Sequence, residues 1–210
     1  ITRLGIAISE DCKNFVRQSD EPIFSPEKDY EKWSVEDPRM TEIDGEVYIS
    51  YTAVSEEILE NGISAKERNV PFLTSGALAS TSDFINFKRY GVITPPFSNN
   101  KDVIIFPEKI GGRFAMFHRP SLWSKDAENT LEGQTYKTKI KAPYKYEELP
   151  RDPSMWLAYS DDLIHWDNHS LLFDSSKEGG TKMGAGLPPL KTKFGWLLIY
   201  HHVERMSPSN

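Results

Sequence analysis

Two carboxylates and a guanidinium stand together at Glu36-Asp37-Pro38-Arg39, ahead of a strand-like run and close after Trp33. A carboxyl group held among other acids and aromatic surface has a raised pKa, which suits a general acid working near neutral pH. Taken alone, the same residues also make an ordinary surface ion pair through Arg39. Basic groups recur further along. Counting six residues past Gly45, Gly112 and Gly195 reaches Tyr51, His118 and His201, with Arg119 and His202 directly after the two histidines. Lys101 and Lys182 precede their own glycines by comparable distances. Arginine, lysine and histidine drawn together form a site for an anion or for polar oxygens. Singly, each reads as a strand-end residue facing solvent, so the inference depends on a fold that gathers them.

The chain repeats itself. Ala7-Ile-Ser-Glu-Asp11-Cys-Lys-Asn-Phe15 returns as Ala79-Ser-Thr-Ser-Asp83-Phe-Ile-Asn-Phe87 and again as Ala158-Tyr-Ser-Asp-Asp162-Leu-Ile-His-Trp166. A second unit alternates with it, from Pro38 to Tyr51, Pro107 to His118 and Pro189 to His201. Self-similarity at roughly 70–80 residues is the signature of a repeat architecture. Val47–Tyr51, Phe114–His118 and Trp196–His201 are rich in aromatic and β-branched residues and follow glycine-containing turns, so each reads as the second arm of a β-hairpin. The Ala-x-Ser/Thr-x-Asp unit adds a strand and a polar turn whose Phe or Trp packs back on the sheet. Asp44, Asp83 and Asp162 are therefore structural. No long stretch shows a 3.6-residue apolar period. The expected class is all-β, with small antiparallel sheets repeated radially as a β-propeller. Strand entrances of a propeller converge on its axis, which would gather the groups above. The chain opens at the tail of one repeat and stops after the hairpin of another, so residues 1–210 are expected to be part of a larger domain.

Composition sets the outer bounds. The chain is 38% hydrophobic and 12% aromatic, ordinary for a globular all-β domain. A formal charge of −6 argues against nucleic acid or an anionic membrane as the main partner. The lone Cys12 excludes an intrachain disulfide framework and a multi-cysteine metal site, and reads as a half-buried thiol on a turn. No signal peptide or membrane-spanning run is visible, and the compartment stays open between cytoplasmic, periplasmic and secreted.

Val35-Glu36-Asp37-Pro38-Arg39, Lys101-Asp102-Val-Ile-Ile-Phe-Pro-Glu108-Lys109-Ile110, His118-Arg119-Pro120, Gly184-Ala-Gly-Leu-Pro-Pro189 and Gly195-Trp-Leu-Leu-Ile-Tyr-His201 resemble glycoside hydrolase family 130, the mannoside phosphorylases and related β-mannosidases. The resemblance runs over nearly the whole chain, with the motifs in order. It implies a five-bladed β-propeller, of which this chain covers roughly three blades as a partial catalytic domain. It also implies inverting cleavage of β-mannosides in manno-oligosaccharides. Asp37 would be the proton donor to the glycosidic oxygen, and Arg119, Lys182 and His201 would hold inorganic phosphate as co-substrate. Arg39, Lys101, Asp102 and His118 join the expected substrate- and phosphate-binding set. Neither a metal nor an organic cofactor is implied.

One departure bears on the chemistry. Where the family's phosphorylases carry Arg-Asn before the hydrophobic run, this chain has Lys101-Asp102. Lysine serves phosphate as a point charge without the bidentate fork, and an ionised Asp102 would repel a dianion. Asp102 or Glu108 could instead activate water as one of an inverting pair of carboxylates. Phosphorolysis stays ahead because the other basic positions are kept, and hydrolysis is the alternative. A third reading is a glycan-binding propeller without turnover, using Trp33, Tyr51, Trp123, Tyr144 and Tyr146 as stacking surfaces. The charged stretch from Ser121 to Asp152, and the shorter one from Glu56 to Val70, are expected to be rim loops shaping the acceptor subsite or making a homo-oligomer contact.

Overall fold

The computed structural model describes residues 1–58, 63–66, 69–95, 98–121 and 149–204. The strands run β1 (Ala7–Ile8), β2 (Val16–Arg17), β3 (Ser34–Ile43), β4 (Glu46–Ser55), β5 (Glu57–Ile58), β6 (Ile63–Ser64), β7 (Leu73–Thr81) and β8 (Lys88–Val92). They continue as β9 (Asn99–Ile105), β10 (Phe114–Ser121), β11 (Met155–Ser160), β12 (Trp166–Phe173), β13 (Gly180–Ala185), β14 (Leu190–Thr192), β15 (Gly195–Leu197) and β16 (Tyr200–Glu204). Two four-stranded antiparallel sheets dominate, in the orders β3-β4-β7-β8 and β9-β10-β11-β12. The class is all-β, as expected; a single 3-10 turn, Asp29–Glu31, is the one helical element among the described residues. No described helix is long and apolar enough to cross a membrane.

The glycine turns behave as read. Asp44 and Gly45 both take positive φ (52° and 81°), as do Gly111 and Gly112 (60° and 87°). Two consecutive left-handed residues make the hairpin turn whose twist matches its strands. The third hairpin differs from expectation. Its second arm is not one strand, because β15 pairs with β14 and β16 with β13, with the ladder broken between.

The other repeat is a capped polar turn built three times. In the last copy the Asp162 carboxylate accepts hydrogen bonds from the amides of Ile164 (2.9 Å) and His165 (2.7 Å), while Ser160 Oγ donates to it at 3.1 Å. Asp83 and Asp11 repeat the pattern with Ile85 and Asn86, and with Lys13 and Asn14. The residue after each aspartate, Cys12, Phe84 or Leu163, has φ between 56° and 67°. Trp166 and Phe87 pack back into the core, whereas Phe15 is exposed. Cys12 is likewise exposed rather than half-buried.

Strand alternation then assembles the core. One face of β9 and β10 gives Val103, Ile105 and Met116 to a cluster shared with Ile43 and Leu78 of the first sheet and Ile93 just after β8. The opposite face gives Ile104, Phe106, Ala115 and Phe117 to a cluster with Met183 and Ala185 of β13. A sheet covered on both faces reads as continuous apolar sequence, and Val103–Phe106 does. Thus β9 packs against β3, β4 and β7 on one side, and β13 packs against β9, β10 and β11 on the other. In the shorter inserted stretch, Ala65 and Val70 pack on Leu73. Trp123, Tyr144, Tyr146 and most of the 121–152 stretch lie outside the described residues.

Replacing Asp162 by Ala should lower unfolding stability by about 1 kcal/mol, the usual cost of losing a capping side chain. Burial works against its charge. The His165 ring and amide, the Ile164 amide and Ser160 outweigh that and hold the carboxyl below the ordinary range. A depressed carboxyl contributes fully above the unfolded value near about pH 4, and the contribution fades as pH falls below it. Urea midpoints of wild type and variant at pH 7 and pH 3 should therefore converge at the lower pH. An equal gap at both would contradict this account.

Candidate active site

Two strands carry one residue more than the strands they pair with. On β3, Glu36 pairs with Thr52 and Arg39 with Ser50, leaving Asp37 and Pro38 together opposite Tyr51. On β9, Lys101 pairs with Arg119 and Ile104 with Phe117, leaving Asp102 and Val103 opposite His118. Both aspartates take left-handed backbone, φ 49° and 53°, a region that Asp and Asn tolerate better than other side chains. Pro38 has no N–H to lose where the ladder is broken. In the third unit Gly184 pairs directly with His201, so glycine stands where the first two sheets have aspartate.

The bulges bring the charged groups together. Lys101 Nζ lies 3.0 Å from Asp37 Oδ2, with both side chains about one-third exposed. Thr52 Oγ1 donates to the same oxygen at 3.5 Å. Asp102 is buried and accepts a hydrogen bond from Arg119 Nε at 2.8 Å, and His201 Nε2 lies 3.6 Å from the same Oδ2. A Cβ on Gly184 would sit 2.4 Å from that oxygen and 2.8 Å from the His201 ring, so the pairing needs a residue with no side chain there. Arg39 Nε donates to the carbonyl of Gly186 at 3.0 Å. Partial burial lowers the His201 pKa. Asp102 works the other way, while Arg119, Lys182 and Arg39 reinforce the lowering, which sets all four charges around one imidazole.

Of the residues expected from sequence, Asp37, Arg39, Lys101, Asp102, Arg119, Lys182 and His201 are thus gathered on adjoining strands. His118 is placed differently. It is fully buried, its Nδ1 bonded to the Asn100 amide at 3.1 Å and its Nε2 to His169 Nδ1 at 3.0 Å. With both ring nitrogens engaged inside the protein, it supports the β9 bulge from behind. Tyr51, at the same register in the first sheet, is also buried, and donates to Glu31, which is held in turn by Arg89. Tyr51 is therefore no stacking surface. Glu108 stands beyond the far end of β9, ion-paired with Lys191 and apart from the cluster.

Sequence reasoning missed Thr52, Gly184, Asn100, His169 and the Glu31–Arg89 pair. Gly184 alone left a signal, lying in a motif already singled out. Among the described residues no group of three or more His, Cys, Asp or Glu is arranged to hold a metal ion. The cluster combines a carboxylate within reach of solvent with cations and a buried carboxylate. That set can give a proton at one end and hold an anion at the other.

A family model described as beta-1,4-mannooligosaccharide phosphorylase matches residues 1–208. The chain is 32% identical over 206 residues to a 1,2-beta-oligomannan phosphorylase of Thermoanaerobacter sp. (strain X514), spanning 97% of this chain and 54% of that protein. It is 31% identical over 208 residues to a beta-1,2-mannobiose phosphorylase of Listeria innocua, spanning 96% and 45%. The solved structure of beta-1,2-mannobiose phosphorylase from Listeria innocua, in complex with beta-1,2-mannobiose, matches with a TM-score of 0.67 at 29% identity. That match covers 95% of this chain and 45% of the other. The chain spans about half the length of the curated relatives it matches.

The histidine pair behind the site has a measurable consequence. Burial holds His169 down at about 4 and His118 well below its ordinary value. A histidine kept neutral in the fold contributes stability that is complete above the unfolded value near pH 6.5 and is lost as pH falls toward about 4, on the order of 3 kcal/mol for His169. In His169→Asn the urea midpoint should depend less steeply on pH across that window. An unchanged slope would show that His169 is not the titrating group.

Proposed function

We infer the activity from one premise: this chain belongs to glycoside hydrolase family 130. The reaction proposed is phosphorolysis of β-mannosidic bonds in manno-oligosaccharides. A phosphate oxygen bonds to the anomeric carbon from the face opposite the leaving group, and the bond from that carbon to the glycosidic oxygen breaks. The electron pair goes to the leaving oxygen, which takes a proton originating on Asp37 and relayed through a hydroxyl of the mannosyl unit. The anomeric centre inverts, and mannose 1-phosphate is released. Arg119, Lys182, His201, Lys101 and Arg39 hold the phosphate and offset its repulsion from the two aspartates.

The observation that carries this reading is the adjacency of a solvent-accessible Asp37 to a bank of cations on the next strands. A cleft of about 440 Å³ lined by Trp33, Phe72, Lys32 and Glu36 lies on the neighbouring side of β3 and offers aromatic surface to a sugar ring. The relatives from Thermoanaerobacter and Listeria innocua are named for β-1,2 linkages, so those substrates come first. Hydrolysis would need Asp102 or Glu108 to activate water. Glu108 is engaged by Lys191, and Asp102 is locked against Arg119. For the fold we propose a five-bladed propeller. The two four-stranded sheets are blades and β13–β16 begin a third, which the equivalent places of Asp37, Asp102 and Gly184 support.

The full-length protein, given β-1,2- and β-1,4-mannobiose with and without inorganic phosphate, should release mannose 1-phosphate only when phosphate is present. Free mannose at a rate indifferent to phosphate would make it a hydrolase. Asp37→Asn should reduce kcat by roughly 10²–10⁴-fold while mannobiose still binds. Turnover that survives this substitution would move the acid elsewhere.

A further inference from the structure

We propose that Asp102 makes the anion site selective for oxyanions that carry a proton, so that it accepts hydrogenphosphate and rejects sulfate. The inference rests on the phosphorolytic reading of the site and deepens it. Asp102 is buried, held by Arg119 Nε at 2.8 Å and close to His201, in space that only a glycine at 184 leaves open. An anion drawn to Arg119, Lys182 and His201 must therefore approach a carboxylate that cannot swing away.

The two common tetrahedral dianions respond to that carboxylate in opposite ways. Hydrogenphosphate keeps one P–O–H at neutral pH and can donate it to Asp102, turning a like-charge contact into a charge-assisted hydrogen bond. Sulfate has only acceptor oxygens at that pH, so lone pairs meet lone pairs and a buried acceptor loses its partner. Shape and formal charge are nearly matched, so the proton is the discriminator. An asparagine at this position would offer an N–H to either anion and could not tell them apart. Lys101, Arg39 and Lys182 attract both ions equally and set affinity rather than choice.

The test titrates the full-length protein with inorganic phosphate, arsenate and sulfate by calorimetry, and by competition against phosphate-dependent turnover. Wild type should bind phosphate and arsenate alike, and sulfate on the order of 10- to 100-fold more weakly. Asp102→Asn should gain sulfate binding until the preference nearly disappears. Sulfate binding to wild type as tightly as phosphate would overturn the proposal and leave the anion site standing, and that comparison needs no variant. A preference unchanged in Asp102→Asn would overturn it too. No response to any of the three anions in wild type would instead bring down the phosphorolytic reading on which it rests.

Discussion

An extra residue in an antiparallel ladder has to leave the pleat, and at Asp37 and Asp102 the geometry of the site depends on where it goes. Pairing resumes on either side of each bulge, so the strands stay in register and the apolar alternation survives. The left-handed backbone re-aims one side chain without moving the sheet. Val103 to Phe106 can therefore divide between two cores immediately after Asp102 has turned toward the cations. Without the bulge a one-residue slip would put each apolar side chain on the wrong face.

Bending a strand leaves a space behind it, and the first two sheets fill that space with polar groups. Tyr51 and Glu31 do it in one, Asn100, His118 and His169 in the other. The bonds from Tyr51 to Glu31, from Asn100 to His118 and between His118 and His169 make each network specific to its position. The third unit has no bulge at Gly184, and His201, the counterpart of Tyr51 and His118, is correspondingly almost half exposed. Three residues at one register thus serve two purposes, and the residue across the ladder decides which.

That division explains what could be read from residue types and spacing. The repeats, the hairpin turns and the capped Asp turns are local, so strand class and turn placement follow from a few adjacent residues. Counting from the turn glycines found the right register for Tyr51, His118 and His201. It could not show that Glu31 and His169, from distant parts of the chain, would close over the first two. Asp102 stood out as a departure from the family's residues, yet its pairing depends on Arg119 across the ladder and on Gly184 in another hairpin. Glu108 misled for the converse reason. β9 ends at Ile105, and the chain beyond it brings Glu108 to Lys191 instead of back to the cluster.

The two aspartates share a residue type, a bulge and a backbone conformation, and still end in different surroundings. Each touches one residue across its own ladder and one from the next unit. Asp37 meets Thr52 and reaches Lys101, whereas Asp102 meets Arg119 and reaches His201. Asp37, beside a hydroxyl and an ammonium, stays within reach of solvent. Asp102 instead lies buried against a guanidinium. Repetition supplied two equivalent carboxylates, and a Thr-for-Arg difference on the neighbouring strand separates one open to solvent from one buried against a cation.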